Sequence, residues 1–121
     1  MKVVINTEFG GFGLSSDAIE KILYLKNIEW EKQEDEYEYV TYYELGHLDS
    51  VDHILKTDWK RQDPDLVSVV EELGKLANAR FSDLVVIEIP DNIDWYISCY
   101  DGIEHVAEVH RTWYAPNSYN L

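Results

Sequence analysis

Arginine is scarce in this chain, and each of its three guanidinium groups lies near a residue type that suits nucleotide recognition. Arg61 precedes Gln62-Asp63-Pro64, Arg80 is followed by Phe81, and Arg111 follows His110. A guanidinium holds phosphate through two parallel N–H donors, and an aromatic face stacks a base. A side-chain amide such as Asn92 can bond a base edge or a ribose hydroxyl. Each residue also has a plainer role: Arg61 can neutralise nearby acids, Phe81 can be core, and Asn92 can serve the turn after Pro90. Nearly all of them fall just before or after a predicted element, where binding residues collect.

Other chemistries are poorly served. His47, Asp49, Asp52 and His53 resemble a metal-ligand cluster, but a zinc site needs further ligands, and His105 and His110 are distant in sequence. Helix capping by Asp49 accounts for that segment more simply, and no metal or cofactor is expected. Cys99 falls mid-strand with no base beside it, which reads as a buried structural thiol rather than a nucleophile. No pair of carboxylates stands out among the 24 acids. Gly10-Gly11-Phe12-Gly13 follows a strand and precedes a helix, where backbone N–H groups can receive an anion. Its glycine order is not that of a dinucleotide fingerprint, and tight-turn glycines explain it equally well. No catalytic set is complete, so a non-enzymatic binding role is expected.

The elements that must carry these residues are legible in outline. Val3–Ile5 reads as a first strand. Ser15 or Ser16 can cap a helix over 16–26, with Asp17 and Glu20 in a capping-box spacing and Ala18, Ile19, Ile22, Leu23 and Leu25 on its apolar face. The acidic, tyrosine-rich stretch 29–44 suggests an edge strand or ordered loop around 36–41. A short helix is expected to carry Val51, Ile54 and Leu55. Asp63 and Pro64 start a longer one that runs to about Asn78. Leu84–Ile89 reads as a central strand. Asp101-Gly102 is a favoured two-residue turn between strands Trp95–Tyr100 and Ile103 to about Trp113.

Together these predict one α+β domain over residues 1–121: a small mixed or antiparallel sheet, two to three helices and a C-terminal β-hairpin. Four Trp, nine Tyr and three Phe supply core material and exclude wholesale disorder. No apolar run is long enough to span a membrane. A single cysteine forms no intramolecular disulfide and suits a reducing, cytoplasmic setting. The formal net charge of −14 argues against duplex nucleic acid as partner. It leaves a solvated acidic face, a basic protein partner, or a small anion held by a few focused arginines.

Several motifs carry a family resemblance. Val3-Val4-Ile5-Asn6 with Gly10-Gly11-Phe12-Gly13-Leu14-Ser15, Arg61-Gln62-Asp63-Pro64, the run Val69 to Gly74, Ile89-Pro90-Asp91, Tyr100-Asp101-Gly102 and His110-Arg111-Thr112-Trp113 resemble a family of small phage and prophage proteins. It includes the Thoeris anti-defence sponge proteins of the first type. The resemblance covers about 1–20 and 60–113 and implies a protein of the bacterial host cytosol that sequesters a cyclic ADP-ribose-type signal, with cyclic oligonucleotides as a further ligand class. It also implies a homo-oligomer, a dimer or trimer of dimers, with pockets near subunit contacts. On this basis Phe81 is expected to stack a base, Asn92 to contact base or ribose, and Arg61 and Arg111 to hold phosphates, with Gly10 and Gly11 as further contacts. The alternative is an acidic inhibitor that covers the basic surface of a host enzyme or DNA-binding protein, and a small-molecule enzyme stands third.

Overall fold

Among the described residues two α-helices set the core, and local sequence starts each of them. The computed structural model describes residues 1–45 and 61–110. Helix α1 (Ser16–Leu25) begins where the Ser15 hydroxyl accepts the Ala18 N–H at 3.2 Å. Glu20 does not complete a capping box with Asp17; it accepts a hydrogen bond from the Tyr42 hydroxyl at 2.8 Å. Helix α2 (Pro64–Leu73) starts with Asp63 as cap, accepting from the Asp65 N–H, and with Pro64 in the first turn. It is shorter than the apolar spacing predicts. Gly74 at φ 57° breaks the α-helical path, and residues Gly74–Ala77 continue as a single 3₁₀ turn.

Lys26 joins the end of α1 to the start of α2, reaching Asp63 at 2.6 Å and Asp65 at 2.9 Å. Partial burial lowers its pKa, but hydrogen bonds to the two carboxylates outweigh this and leave it raised. Ala18, Ile22 and Leu23 of α1 meet Leu66, Val67, Val69 and Val70 of α2 in one apolar cluster. Each fully buried aliphatic side chain there contributes roughly 1.5–3 kcal/mol.

Among the described residues six strands form three antiparallel two-stranded ribbons, so the fold is α+β with a C-terminal hairpin. Strand β1 (Lys2–Asn6) pairs with β4 (Leu84–Glu88), placing Lys2 opposite Glu88 and Asn6 opposite Leu84. Strand β4 was expected to be central; among the described strands it pairs with β1 alone. The other edge of β1 is satisfied differently. The Val4 N–H donates to the Arg61 carbonyl at 2.9 Å, and the Asn6 N–H donates to the Glu104 carboxylate at 2.8 Å. Strand β6 packs beside this edge.

Strands β2 (Trp30–Glu34) and β3 (Val40–Glu44) form a hairpin across the acidic segment, where only an edge strand or loop was expected. Its turn is organised by Asp35, whose carboxylate accepts the N–H groups of Tyr37 and Tyr39, with Glu38 at φ 63°. Tyr42 anchors the hairpin on the core and stacks edge-on with Trp30 at 5.1 Å. Burial raises the Tyr42 pKa, and its bond to Glu20 adds to that.

Strands β5 (Trp95–Tyr100) and β6 (Ile103–Glu108) meet at Asp101-Gly102, with φ angles of 50° and 89° as a type I′ turn requires. Cys99, expected to be buried, is exposed, because β5 is an edge of a two-stranded ribbon rather than an interior strand. The helix expected around Val51, Ile54 and Leu55, and the end of the last strand near Trp113, lie outside the described residues. No described helix is long and apolar enough to cross a membrane.

Candidate functional site

Strand β4 separates the sequence-predicted residues into two groups. Phe81 precedes β4, and Asn92 follows it, so they sit at opposite ends of the β1–β4 ribbon. Four residue steps of about 3.4 Å put roughly 14 Å between the strand ends alone. One chain therefore does not gather Phe81 and Asn92 in a single small pocket.

At the first end, Phe81 is 63% exposed. Its backbone is nonetheless fixed. Ser82 Oγ accepts the Ala79 N–H at 2.9 Å and donates to the Gly13 carbonyl at 2.8 Å. The Asp83 N–H donates to Asn6 Oδ1 at 2.8 Å, and the Leu84 N–H donates to Asn78 Oδ1 at 2.7 Å. The Arg80 guanidinium stands 5.2 Å from the Phe81 ring centroid. Phe81, Arg80, Lys75 and the exposed Phe9 line a depression of about 530 Å³.

Gly10 and Gly11 belong to this end, and backbone conformation accounts for both, with packing added at Gly10. Both hold positive φ, 110° and 92°. A Cβ on Gly10 would lie 2.7 Å from Phe81 Cβ. A Cβ on Gly102 would strike the backbone nitrogens of Gly10 and Gly11. The glycine loop thus lies directly on the hairpin turn; close approach to Phe81 and a positive φ call for glycine at position 10, a positive φ alone at position 11, and close approach at position 102.

Asn6 ties the loop to the turn. Fully buried, it donates from Nδ2 to the carbonyls of Glu8 at 2.7 Å and Gly102 at 2.6 Å, while Oδ1 receives Asp83. Sequence reasoning missed this role. Its signal, a lone amide closing an apolar strand, carries no mark of its distant partners.

Arg61 is not in either surface group. It is 3% exposed, its NH1 and NH2 bond the two carboxylate oxygens of Glu104 at 2.7 and 2.9 Å, and its guanidinium lies 3.7 Å from the Phe12 ring centroid. The expected phosphate contact is instead a buried bidentate ion pair that clamps β6 to β1. Glu104, 8% exposed, accepts the Asn6 N–H as well.

At the second end, Asn92 shares a depression of about 460 Å³ with Asp94, Glu108 and His110. The Val109 N–H closes it by donating to the Asp94 carbonyl at 2.8 Å. Arg111 follows directly but lies outside the described residues, as do His47, Asp49, Asp52 and His53. Among the described residues no group of three His, Cys, Asp or Glu side chains is placed to hold a metal ion. Two further depressions, between β1 and α2 and between α1 and β3, hold none of the predicted site residues. No family model, curated protein or solved structure matches the chain.

Proposed function

We propose that the protein is a non-enzymatic, phage- or prophage-type anti-defence protein that binds and sequesters a cyclic ADP-ribose-type signalling nucleotide in the host cytosol. The observation that carries this reading is Phe81: a large apolar ring left 63% exposed, fixed at its base by hydrogen bonds, with a guanidinium beside it. An exposed aromatic face with a cation near it suits a purine joined to phosphate, and the hydrogen bonds of the flanking residues fix the backbone that carries it. The motif resemblance supports the same reading.

The separation of Phe81 from Asn92 is consistent with a homo-oligomer in which a second copy supplies the other half of each pocket. The depression that holds Asn92 is the half that would face the ring. A second reading, an acidic inhibitor of a basic host protein, draws on the β2–β3 hairpin, where Glu31, Glu34, Asp35, Glu36 and Glu38 surround the exposed Tyr37 and Tyr39.

Calorimetric titration with a panel of cyclic ADP-ribose isomers tests the first reading, together with recovery of the ligand after heat denaturation. Saturable binding and return of the intact nucleotide are expected, with a solution mass at a multiple of 14.2 kDa. An altered nucleotide would instead indicate an enzyme, and no binding by any isomer would sink the proposal.

A further inference from the structure

The described cations divide into two classes. Lys2 pairs with Glu71, Lys21 with Glu72, Lys26 with Asp63 and Asp65, and Arg61 with Glu104. Lys32, Lys75 and Arg80 form no ion pair among the described residues. Lys32 lies away on β2, but Lys75 and Arg80 line the same depression as Phe81.

Neither is carried on a loose segment. Lys75 sits in the 3₁₀ turn that continues α2, and Arg80 lies in the tight loop held by Asn78 and Ser82. The two acids on the rim are turned to neighbours. Asp83 Oδ1 accepts from Asn78 Nδ2 at 3.1 Å, and Glu8 Oε1 accepts the Phe9 N–H at 3.2 Å. The depression therefore offers two cations without an ion pair among the described residues and two exposed rings, Phe81 and the 58% exposed Phe9. With Glu8 and Asp83 also on the rim the formal charges of the lining balance, so an anion would be held by direct contact with the two cations rather than by a net positive field.

We infer that Lys75 and Arg80 form the phosphate subsite of a purine nucleotide whose base stacks on Phe81, the role that the burial of Arg61 leaves open. This deepens the proposed function and rests on it for the cyclic ligand. A guanidinium and an ammonium lining the same depression as the ring match a phosphate ester joined through ribose to a base. An isolated carboxylate or sulfate would have no use for the rings.

The test compares wild type with Lys75→Gln, Arg80→Gln, the double variant and Phe81→Ala. Each is titrated with a cyclic ADP-ribose isomer and with ADP by calorimetry, and with adenosine by NMR. Each cation variant should weaken the phosphorylated ligands roughly tenfold, and the double variant more, while adenosine changes less than about threefold. Phe81→Ala should weaken all three ligands. Melting temperatures of the cation variants should stay near wild type, since the side chains lie on the surface. Unchanged affinity for phosphorylated ligands in the double variant overturns the subsite, as does an equal loss for adenosine. Binding of ADP that depends on Lys75 and Arg80, without binding of any cyclic isomer, upholds the subsite and sinks the sequestering reading. Cyclic-isomer binding indifferent to both cations does the reverse. A wild-type protein that takes no nucleotide overturns both.

Discussion

Replacing Glu104 by Gln tests whether the Arg61 pair is structural. The substitution preserves shape but removes one oxygen acceptor and the negative charge. In the native protein that carboxylate receives Arg61 NH1 at 2.7 Å, NH2 at 2.9 Å and the Asn6 N–H at 2.8 Å. The new amide NH2 must face one of those donors, and the Arg61 cation stays buried at 3% exposure. Breaking one side of such a pair costs about 3–5 kcal/mol. For a chain of this length, with each kcal/mol worth about 3–5 °C, the melting temperature should fall by roughly 10–20 °C. Circular dichroism melts and urea titration read the effect. Arg61→Met combined with Glu104→Gln removes both charges while the amide oxygen still accepts the Asn6 N–H, and should recover much of the loss, giving a large coupling in the double-mutant cycle. A Glu104→Gln protein melting within about 3 °C of wild type would refute the reasoning. So would an Arg61→Met protein that keeps its stability but loses ligand.

Gly102→Ala should lower the urea midpoint by the equivalent of at least about 2 kcal/mol, since alanine is strained at φ 89° and its Cβ meets the glycine loop; an unchanged midpoint would show that the loop can yield. Lys26 and Tyr42 both have raised pKa values when folded, so their contribution is complete below about pH 10 and is lost as pH rises through the folded values. Lys26→Met should therefore flatten the loss of stability as pH rises above about 10, whereas parallel wild-type and variant curves would contradict that linkage. Cys99 is exposed and should react with a disulfide reagent in the native protein, and Cys99→Ser should change stability by no more than about 0.5 kcal/mol. A sluggish native thiol would mean the strand edge is covered in solution.

Elements with local signals were readable from sequence. Ser15 before an apolar helical face, Asp63-Pro64 and Asp101-Gly102 each name their structure through backbone chemistry within a few residues. The β2–β3 hairpin was not readable as such. Trp30–Glu34 is almost wholly polar, its partner strand meets the core chiefly through Tyr42, and the turn relies on Asp35 rather than glycine. The same distinction applies to the site. Phe81 is exposed, as its type and place before a strand suggest, but Arg61 is buried, because its fate depends on Glu104, 43 positions away among many acids. Type and neighbourhood suggested a phosphate ligand; long-range pairing decided otherwise. Cys99 shows the converse error: a mid-strand position implies burial only where other strands flank it.

The reach of Asn6 has a consequence for synthesis. Its side chain bonds Asp83 and Gly102, and its N–H bonds Glu104, 98 residues downstream. A ribosome delivers the glycine loop first and its supports last, so the loop cannot settle while the N-terminal half alone has emerged. Helices α1 and α2 can meet as soon as both are outside the exit tunnel, whereas the strand-to-hairpin closure must wait for β6. Until then β1 exposes one unpaired edge beside an apolar face, the kind of surface that chaperones recognise and that pairs wrongly with other chains. Slowing translation before residue 104 should prolong that exposed interval, and moving the β5–β6 hairpin ahead of β1 by circular permutation should shorten it.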